Sequence, residues 1–277
     1  MWLIFFISLA FGKDMVTWAD PHQPPFFYIR NQDAKSSLDG MQSGVTSYLS
    51  NYQHTVVEMS FASVEKNMRE GRNLCSVSML KTDLREKISY MSAFFPIPPH
   101  HIIIRKADRK IFLKKGEDRV FIARLMDQTK LTGGYTPGRS YGKNIDELLV
   151  KHKRSLAVKF YPATEIGNDL MQLLVDKKID YTIEYKTPAD VEIRRRKLSD
   201  KLDILPVVES RDLLPVYVAC TRNEWGHEVI LALDKAIQKY VVKEAYKDNL
   251  QGIISKESYQ DFESEIKEFI QKRARGS

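Results

Sequence analysis

The sequence predicts an α/β protein built from two units, each of them a mostly parallel β-sheet flanked by helices. Its 277 residues exceed the usual size of one domain, and 43% of them are hydrophobic, which is enough for a large core. Strand-like and helix-like segments alternate over residues 15–80, a pattern typical of parallel sheets covered by helices. A proline-rich stretch at 96–101 then leads into a second unit, and apolar segments at 204–208 and 213–219 lead back to the first.

Residues 1–12 form an uncharged apolar run that ends just before Lys13. We predict a signal peptide here, because the small residues Ala10 and Gly12 suit an export cleavage site. The run is too short for a membrane span, which needs about 20 apolar residues. Since it lacks the usual basic start, a buried N-terminal strand is the alternative. The mature protein is expected to be periplasmic or otherwise exported, and soluble.

The first unit is predicted from hydrophobic periodicity and from its glycines. The expected elements are a strand at 15–19, a helix from Gly40 to Tyr52, a strand at 56–59, a helix closed by Gly71 and a strand at 74–80. Ligands of such sheets bind beyond the carboxyl ends of the strands. The segments that follow the strands are therefore the first places to look for a site.

An aromatic loop follows the first strand. Prolines in the segment DPHQPPFFYIRN prevent a helix and expose Phe26, Phe27 and Tyr28. Together with Trp18 at the end of the strand, these side chains are candidates for a pocket wall. The alternative is that the aromatic rings cap the core.

The third strand ends in Lys81 and Thr82, and Arg85 follows in a predicted turn. An arginine beside a hydroxyl offers a flat fork of donors that suits a carboxylate or a phosphate. We predict that Arg85 binds a ligand, while Asp83 belongs to the turn. The alternative is an ordinary strand-to-loop junction on the surface.

The second unit is predicted to begin with a strand at 102–104, a helix at 120–127 and a short strand at 131–132. A glycine-rich loop, GGYTPGRSYG, follows and contains Arg139, with a helix capped by Asn144 behind it. Backbone amides at a helix N-terminus and an arginine suit an anion. The loop matches neither the Walker pattern nor the dinucleotide fingerprint.

A strand at 179–185 follows a strand at 157–161 and an apolar helix. Its alternation puts Glu184 on one face with Asp180 and Thr182, which makes Glu184 an acidic counterpart to Arg85. The alternative is a surface ion pair that contributes only about 0–1 kcal/mol.

The return strands contain Pro206 and Pro215, which suit sheet edges or crossings better than central strands. The chain then ends in helices. Cys75 and Cys220 are the two cysteines, and both a disulfide between them and two buried free thiols are compatible with the sequence.

The formal net charge is +7, with 43 basic and 36 acidic residues, and the basic residues lie in separate short clusters. Such patches attract anions in general. They are not accompanied by a nucleic-acid-binding motif, and we predict no nucleic-acid partner. No set of ligands for a metal is evident, and we predict no cofactor.

Several of these features together resemble the family 3 extracellular solute-binding proteins, which include the polar amino-acid receptors of bacterial uptake systems. The matching segments are 18–28 with its Pro-Pro-Phe, the glycines Gly40 and Gly71, the loop 138–142 and the strand 179–185. The most specific match is the spacing T-x-x-R-x-x-x-x-x-x-S, formed by Thr82, Arg85 and Ser92.

The resemblance implies a two-lobed, type II periplasmic-binding fold with two crossover strands as the hinge. Lobe one would comprise residues 13–98 and 214–277, and lobe two residues 99–213. A monomer is expected to close around a small anionic or zwitterionic ligand, either amino-acid-like or a small carboxylate. An inner-membrane permease or a sensor receptor would be its partner.

The resemblance also implies roles for single residues. Arg85 would bind the α-carboxylate of the ligand with the help of Thr82, and Glu184 would bind its α-amino group. Lys81 departs from the family pattern and would add positive charge, and Glu184 lies one position short of the usual aspartate. Some relatives with this fold are dehydratases of prephenate or arogenate, so the alternative function is an enzyme with Glu184 as general acid.

Overall fold

The structure, a computed structural model, describes residues 14–22, 36–127, 130–162 and 168–276. The predicted signal peptide at 1–12 lies outside these residues. The described residues form two five-stranded sheets flanked by helices.

The strands are short and lie in both halves of the chain. In order they are β1 (Asp14–Asp20), β2 (Tyr52–Glu58), β3 (Cys75–Leu80), β4 (Ser89–Ile97), β5 (His100–Arg105), β6 (Gly133–Tyr135), β7 (Val158–Phe160), β8 (Tyr181–Tyr185), β9 (Leu202–Pro206) and β10 (Leu214–Thr221).

The helices separate most of the strands, and the longest of them follows the last strand. In order they are α1 (Ser37–Thr46), α2 (Phe61–Arg69), α3 (Asp83–Ile88), α4 (Arg109–Phe112), α5 (Ile122–Asp127), α6 (Lys143–His152), α7 (Asn168–Val175), α8 (Lys186–Arg195), α9 (Glu224–Tyr240), α10 (Glu244–Ile253), α11 (Lys256–Asp261) and α12 (Glu263–Ala274).

The two sheets have the same topology. The first has the order β2-β1-β3-β10-β4 and the second the order β7-β6-β8-β5-β9. In the first sheet β1 pairs in parallel with β2 and β3, and β10 is antiparallel to both β3 and β4. In the second, β6 is parallel to β7 and β8, and β5 is antiparallel to β8 and β9. All strands except β10 and β5 therefore run in one direction within their sheet, which confirms the predicted mostly parallel α/β fold.

The chain crosses between the sheets twice, from β4 to β5 and from β9 to β10. The two crossings touch, because the backbone N–H of His100 donates to the hydroxyl of Ser210 at 2.9 Å. Together they form the connection between the two units. We keep the boundaries predicted from the sequence and call residues 13–98 and 214–277 lobe one, and residues 99–213 lobe two.

Each lobe has its own aromatic core. Trp18 and Phe94 are fully buried in lobe one, and Phe112, Tyr135 and Tyr181 in lobe two. The two buried tyrosine hydroxyls bond to each other at 3.1 Å, so neither is left unpaired. Burial of each such ring contributes roughly 1.5–3 kcal/mol to the stability of its lobe.

Helix α1 differs from its prediction at both ends. It begins after Ser36, whose hydroxyl accepts a hydrogen bond from the backbone of Asp39, while the Asp39 carboxylate bonds back to the Ser36 backbone. This capping box fixes the start, so Gly40 does not open the helix. A Cβ at Gly40 would lie 2.1 Å from the Asn249 side chain, so the glycine serves close packing against α10. The helix also ends well before Tyr52, which begins β2.

The start of lobe two also differs from its prediction. Strand β6 covers Gly133–Tyr135, two residues later than expected. Glycines are rare in strands, but a Cβ at Gly133 would come within 2.7 Å of the rings of Tyr135 and Tyr181, so only glycine fits there. Helix α6 is preceded by Gly142 at a φ of 88°, and Asn144 bonds to the Glu209 carbonyl instead of capping the helix.

The two prolines of the return strands are predicted to lie at sheet edges or in crossings. Pro206 is at the end of the edge strand β9. Pro215 lies in β10, which is between β3 and β4, but its position pairs only with Pro96 of β4. Pairing with β3 begins at Val216, so the proline takes up no hydrogen bond on that side of the ladder.

Cys75 and Cys220 form a disulfide. They lie directly opposite each other on β3 and β10, with Cα atoms 4.1 Å apart, and both are fully buried. Because 145 residues separate them in sequence, the bond ties the first half of lobe one to the strand that returns after lobe two.

We expect the double variant Cys75→Ala/Cys220→Ala to lose about 2–5 kcal/mol of unfolding free energy, because closure of a long loop restricts the unfolded chain. Guanidinium unfolding followed by circular dichroism measures this loss. Wild-type protein unfolded with a reductant present is the control and should share the midpoint of the variant. A variant midpoint equal to that of the oxidised wild type would contradict the expectation.

A buried carboxylate closes the end of β1. Asp20 is fully buried and accepts hydrogen bonds from the hydroxyls of Ser76 and Ser78, at 2.6 and 2.8 Å, and from the backbone of Val77. Burial raises the pKa of Asp20 to about 6, although the hydrogen bonds lower it. The folded state therefore holds this proton more tightly than the unfolded state does.

The raised pKa of Asp20 predicts a pH-dependent penalty. Below pH ~4 the carboxyl is protonated in both states, and as pH rises towards 6 the unfolded state ionises first, which lowers the stability of the fold by about 3 kcal/mol. We expect the unfolding free energy of Asp20→Asn, relative to wild type, to increase between pH 4 and 6 and then level off. Urea titrations across this range measure it, and a difference independent of pH would contradict the assignment.

Candidate functional site

A cavity lies between the lobes at the carboxyl ends of the lobe-one strands. Lobe one provides Arg85 and a set of apolar side chains that includes Phe95 and Val216. Lobe two provides Arg139 and Tyr185. The described part of the lining contains two charged side chains, and both are arginines from different lobes. The cavity therefore combines guanidinium groups from both lobes with an apolar wall from lobe one.

Arg85 is the most constrained of these residues, with only 2% of its surface exposed. Its Nε donates to Glu65 at 2.8 Å, its Nη1 to the Leu80 carbonyl at 2.7 Å and its Nη2 to the Gly138 carbonyl at 2.8 Å. The last bond crosses from lobe one to lobe two. The guanidinium also lies 5.6 Å from the centre of the Phe61 ring. Arg85 thus joins α2, β3 and the glycine-rich loop of lobe two.

The segment around Arg85 is helical, whereas a turn was predicted. Thr82 is the N-cap of α3, and its hydroxyl accepts a hydrogen bond from the backbone N–H of Arg85 at 3.2 Å. Asp83 begins the helix, where an acidic side chain is favourable. Thr82 therefore orients Arg85 through the backbone and does not line the cavity together with it.

Lys81 faces away from the cavity. Its Nζ lies 2.6 Å from Glu86, and both side chains are nearly half exposed. The hydrogen bond with Glu86 raises the pKa of Lys81 despite some burial. The structure thus corrects the expectation that Lys81 adds charge to the pocket.

Arg139 and Glu184 form a buried ion pair. Both Nη atoms of Arg139 donate to the two carboxylate oxygens of Glu184, and each side chain is 7% exposed. The backbone N–H of Tyr185 also donates to Glu184 at 2.8 Å. Burial is the largest single influence and lowers the pKa of Arg139, but the charge and the hydrogen bonds of Glu184, together with Tyr141 and Tyr185, raise it by more in sum, so the net shift is upward. Glu184 is committed to Arg139, and it does not itself line the cavity.

Two tyrosines hold Arg139 in place. Its guanidinium lies 5.2 Å from the centre of the Tyr141 ring and 5.6 Å from that of Tyr185. Tyr185 in turn stacks on His100 at 3.9 Å, close to the crossing between the lobes. The anion-binding loop predicted around Arg139 is therefore linked through ring contacts to the hinge.

The remaining predicted residues lie elsewhere. Trp18 is in the core of lobe one, where its ring N–H donates to His54 at 3.2 Å, so it is not a wall of the cleft. Phe26, Phe27 and Tyr28 lie outside the described residues.

Ser92, the last residue of the motif spacing, lies away from the cavity. Its hydroxyl donates to Asp234 at 2.7 Å and accepts from Arg273 at 3.1 Å. It therefore fastens α9 and α12 to β4, a structural role.

Sequence reasoning missed Glu65 and Gly138. Glu65 is a single acid on α2, and its pairing with Arg85 depends on how α2 packs against α3. Gly138 was noted only as part of a loop. Its backbone has a φ of 74°, a conformation that favours glycine. A Cβ at this position would lie 2.5 Å from the Ala62 backbone of lobe one. Gly138 is therefore a point of close contact between the lobes.

Other contacts also join the lobes. The backbone N–H of Ser255 donates to the hydroxyl of Thr187 at 3.0 Å, and Lys186 pairs with Glu257 at 2.9 Å. Within the described residues, no group of three or more His, Cys, Asp or Glu side chains is placed to hold a metal ion. Nor does any helix in the described ranges have the length and apolarity to cross a bilayer.

Solved structures share this architecture over most of the chain. An amino acid ABC transporter substrate-binding protein from Streptococcus pneumoniae, bound to L-arginine, is 16% identical with a TM-score of 0.61, over 95% of this chain and 96% of that one. A putative L-cystine ABC transporter protein from Listeria monocytogenes is 14% identical with a TM-score of 0.67, over 88% and 98%. The GluR0 ligand-binding core from Nostoc punctiforme, in complex with L-glutamate, is 14% identical with a TM-score of 0.62, over 86% and 98%.

No protein-family model matches the sequence, and no curated protein matches it. The TM-scores and coverages establish a shared fold. Because the identities are only 14–16%, the ligand and the partner of this protein have to be inferred from its own site. The predicted fold is confirmed: the chain has the two-lobed architecture of periplasmic binding proteins, which it shares with these three structures.

Proposed function

We propose that the protein is an exported solute-binding protein that captures a small anionic or zwitterionic ligand between its lobes by hinge closure. The observation that carries this proposal is that each lobe contributes a buried arginine, Arg85 and Arg139, to one cavity. Arginine forks suit carboxylate oxygens, and a ligand held by both lobes stabilises the closed state.

The arginines have donors to spare. A guanidinium has five N–H groups, and the bonds of Arg85 to Glu65, Leu80 and Gly138 use three of them. The two others have no partner among the described residues. The bond to Gly138 already spans the lobes, so a carboxylate beside it would add contacts where the lobes meet.

Transport and sensing both fit this cycle. Two of the similar structures are described as parts of ABC transporters and one as a ligand-binding core in complex with L-glutamate. We propose a membrane permease as the partner, with a sensor receptor as the alternative. Export is supported by the Cys75–Cys220 disulfide, since such bonds persist in oxidising compartments.

The site favours binding over catalysis. A dehydratase-type reaction would need Glu184 as a proton donor close to the ligand. Both Glu184 oxygens instead accept hydrogen bonds from Arg139, and Glu184 does not line the cavity.

Variants of Arg85 and Glu65 test the proposal. We expect Arg85→Ala to abolish binding and to lower the unfolding free energy by about 3 kcal/mol, because Glu65 loses its partner.

Glu65→Gln should instead tighten binding of a carboxylate by up to about tenfold, since it removes a competing negative charge from Arg85. A thermal-shift panel of L-amino acids and small carboxylates identifies ligands, and isothermal titration calorimetry measures their affinities.

The matched control is Arg105→Ala. Arg105 is similarly bonded, to Asp108, Asp180 and two carbonyls of lobe two, but it does not line the cavity. It should lower stability and leave affinity unchanged. Wild-type affinity in Arg85→Ala would exclude this site.

Closure itself is tested at Gly138. We expect Gly138→Ala to hold the lobes apart and weaken binding, because its Cβ would lie 2.5 Å from the backbone of Ala62. Gly116→Ala is the control: it has the same type of backbone, with a φ of 88°, but open space around it. Both variants should lose about 1 kcal/mol of unfolding free energy, because alanine is strained in this backbone conformation. Only Gly138→Ala should show a larger radius of gyration in small-angle X-ray scattering. Equal radii for the two variants would argue against a closed state of this geometry.

A further inference from the structure

The walls of the cavity are apolar to an extent that an amino-acid-like ligand does not require. Seven of the lining side chains are aliphatic or phenylalanine, and all of them come from lobe one. They are Leu38, Phe61, Leu80, Phe95, Ile97, Val216 and Ile253. Each of them is 7% exposed or less. A ligand bound among them must present an apolar body, since a polar one would lose its bonds to water.

The charged groups of the lining have one sign. Arg85 and Arg139 line the cavity, and no carboxylate is among the described lining residues. Glu184, the residue predicted to hold an α-amino group, directs both oxygens to Arg139. The hydroxyl protons of the two lining serines are also engaged, Ser78 with Asp20 and Ser140 with Asp146. The described lining offers N–H donors for an anion and no anionic partner for an ammonium group.

The cavity has a volume of about 50 Å³. That volume holds about four groups of the size of a water or a methyl, which is room for a short branched tail.

We infer that the preferred ligand is a short monocarboxylate with an apolar tail, and that an α-amino group weakens its binding. This rests on the proposed function and specifies the ligand class of the same cavity. The carboxylate lies between Arg85 and Arg139, and the tail packs against the side chains of β4, β10 and α10.

Isothermal titration calorimetry with four compounds tests the inference. 3-Methylbutanoate and L-valine share a carbon skeleton and differ by the α-amino group, succinate adds a second carboxylate, and L-arginine adds length and positive charge. We expect 3-methylbutanoate to bind about tenfold or more tightly than L-valine, and succinate and L-arginine not to bind. Tighter binding of L-valine, binding of either of the other two, or binding of none of the four would overturn the inference.

A pair of variants on one strand tests the walls. Val216→Thr places a hydroxyl in the cavity and should weaken 3-methylbutanoate about tenfold. Val218→Thr, at an equally buried position of β10 that does not line the cavity, should leave affinity unchanged. Equal effects of the two variants would overturn the placement of the tail.

The outcomes separate this inference from the proposed function. Binding of L-valine or L-arginine that is lost in Arg85→Ala would overturn the ligand class and leave capture between the lobes intact. Binding of 3-methylbutanoate that is unaffected by Arg85→Ala and produces no compaction would contradict capture between the lobes and the proposed place of the carboxylate.

Discussion

The buried guanidinium of Arg85 is the interaction on which the geometry of the cleft depends. A charge with so little exposure must be paired and hydrogen-bonded, and it meets this requirement by binding one group on α2, one on β3 and one in lobe two. The short helix α3 holds it there through the Thr82 cap. Because one of its three acceptors belongs to the other lobe, the position of a single side chain couples the local structure of lobe one to the closure of the molecule.

The two arginines of the cleft are each neutralised by an acid of their own lobe, Arg85 by Glu65 and Arg139 by Glu184. Neither acid lines the cavity. Each lobe can therefore bury its arginine before a ligand arrives, and the ligand meets an arginine that is already paired with an internal carboxylate instead of an unpaired charge. The negative charge of the internal carboxylate weakens the attraction between the arginine and an anionic ligand. Glu65 therefore influences ligand affinity although it does not line the cavity.

The sequence predicted the features that depend on local pattern. Alternating segments gave the order of the strands, and the position of Arg85 after β3 placed it at the carboxyl edge of a sheet. What could not be predicted depends on packing. The Trp18 side chain is buried in the core and does not face the cleft. Glu65 meets Arg85 only because α2 lies against α3. Gly133 occupies a strand position at which two tyrosine rings leave no room for a Cβ. The predicted lobe-two acid was recognised by type and position, but its commitment to Arg139 required the fold of the loop before α6.

The disulfide between β3 and β10 has a consequence for the covalent architecture. Lobe two lies entirely within the loop that Cys75 and Cys220 close. A protease that cleaves the backbone once within lobe two would leave the two segments of lobe one in a single covalent molecule, still aligned as adjacent strands. In an environment rich in secreted proteases, lobe one is protected against separation of its halves by a bond that lies in its own core.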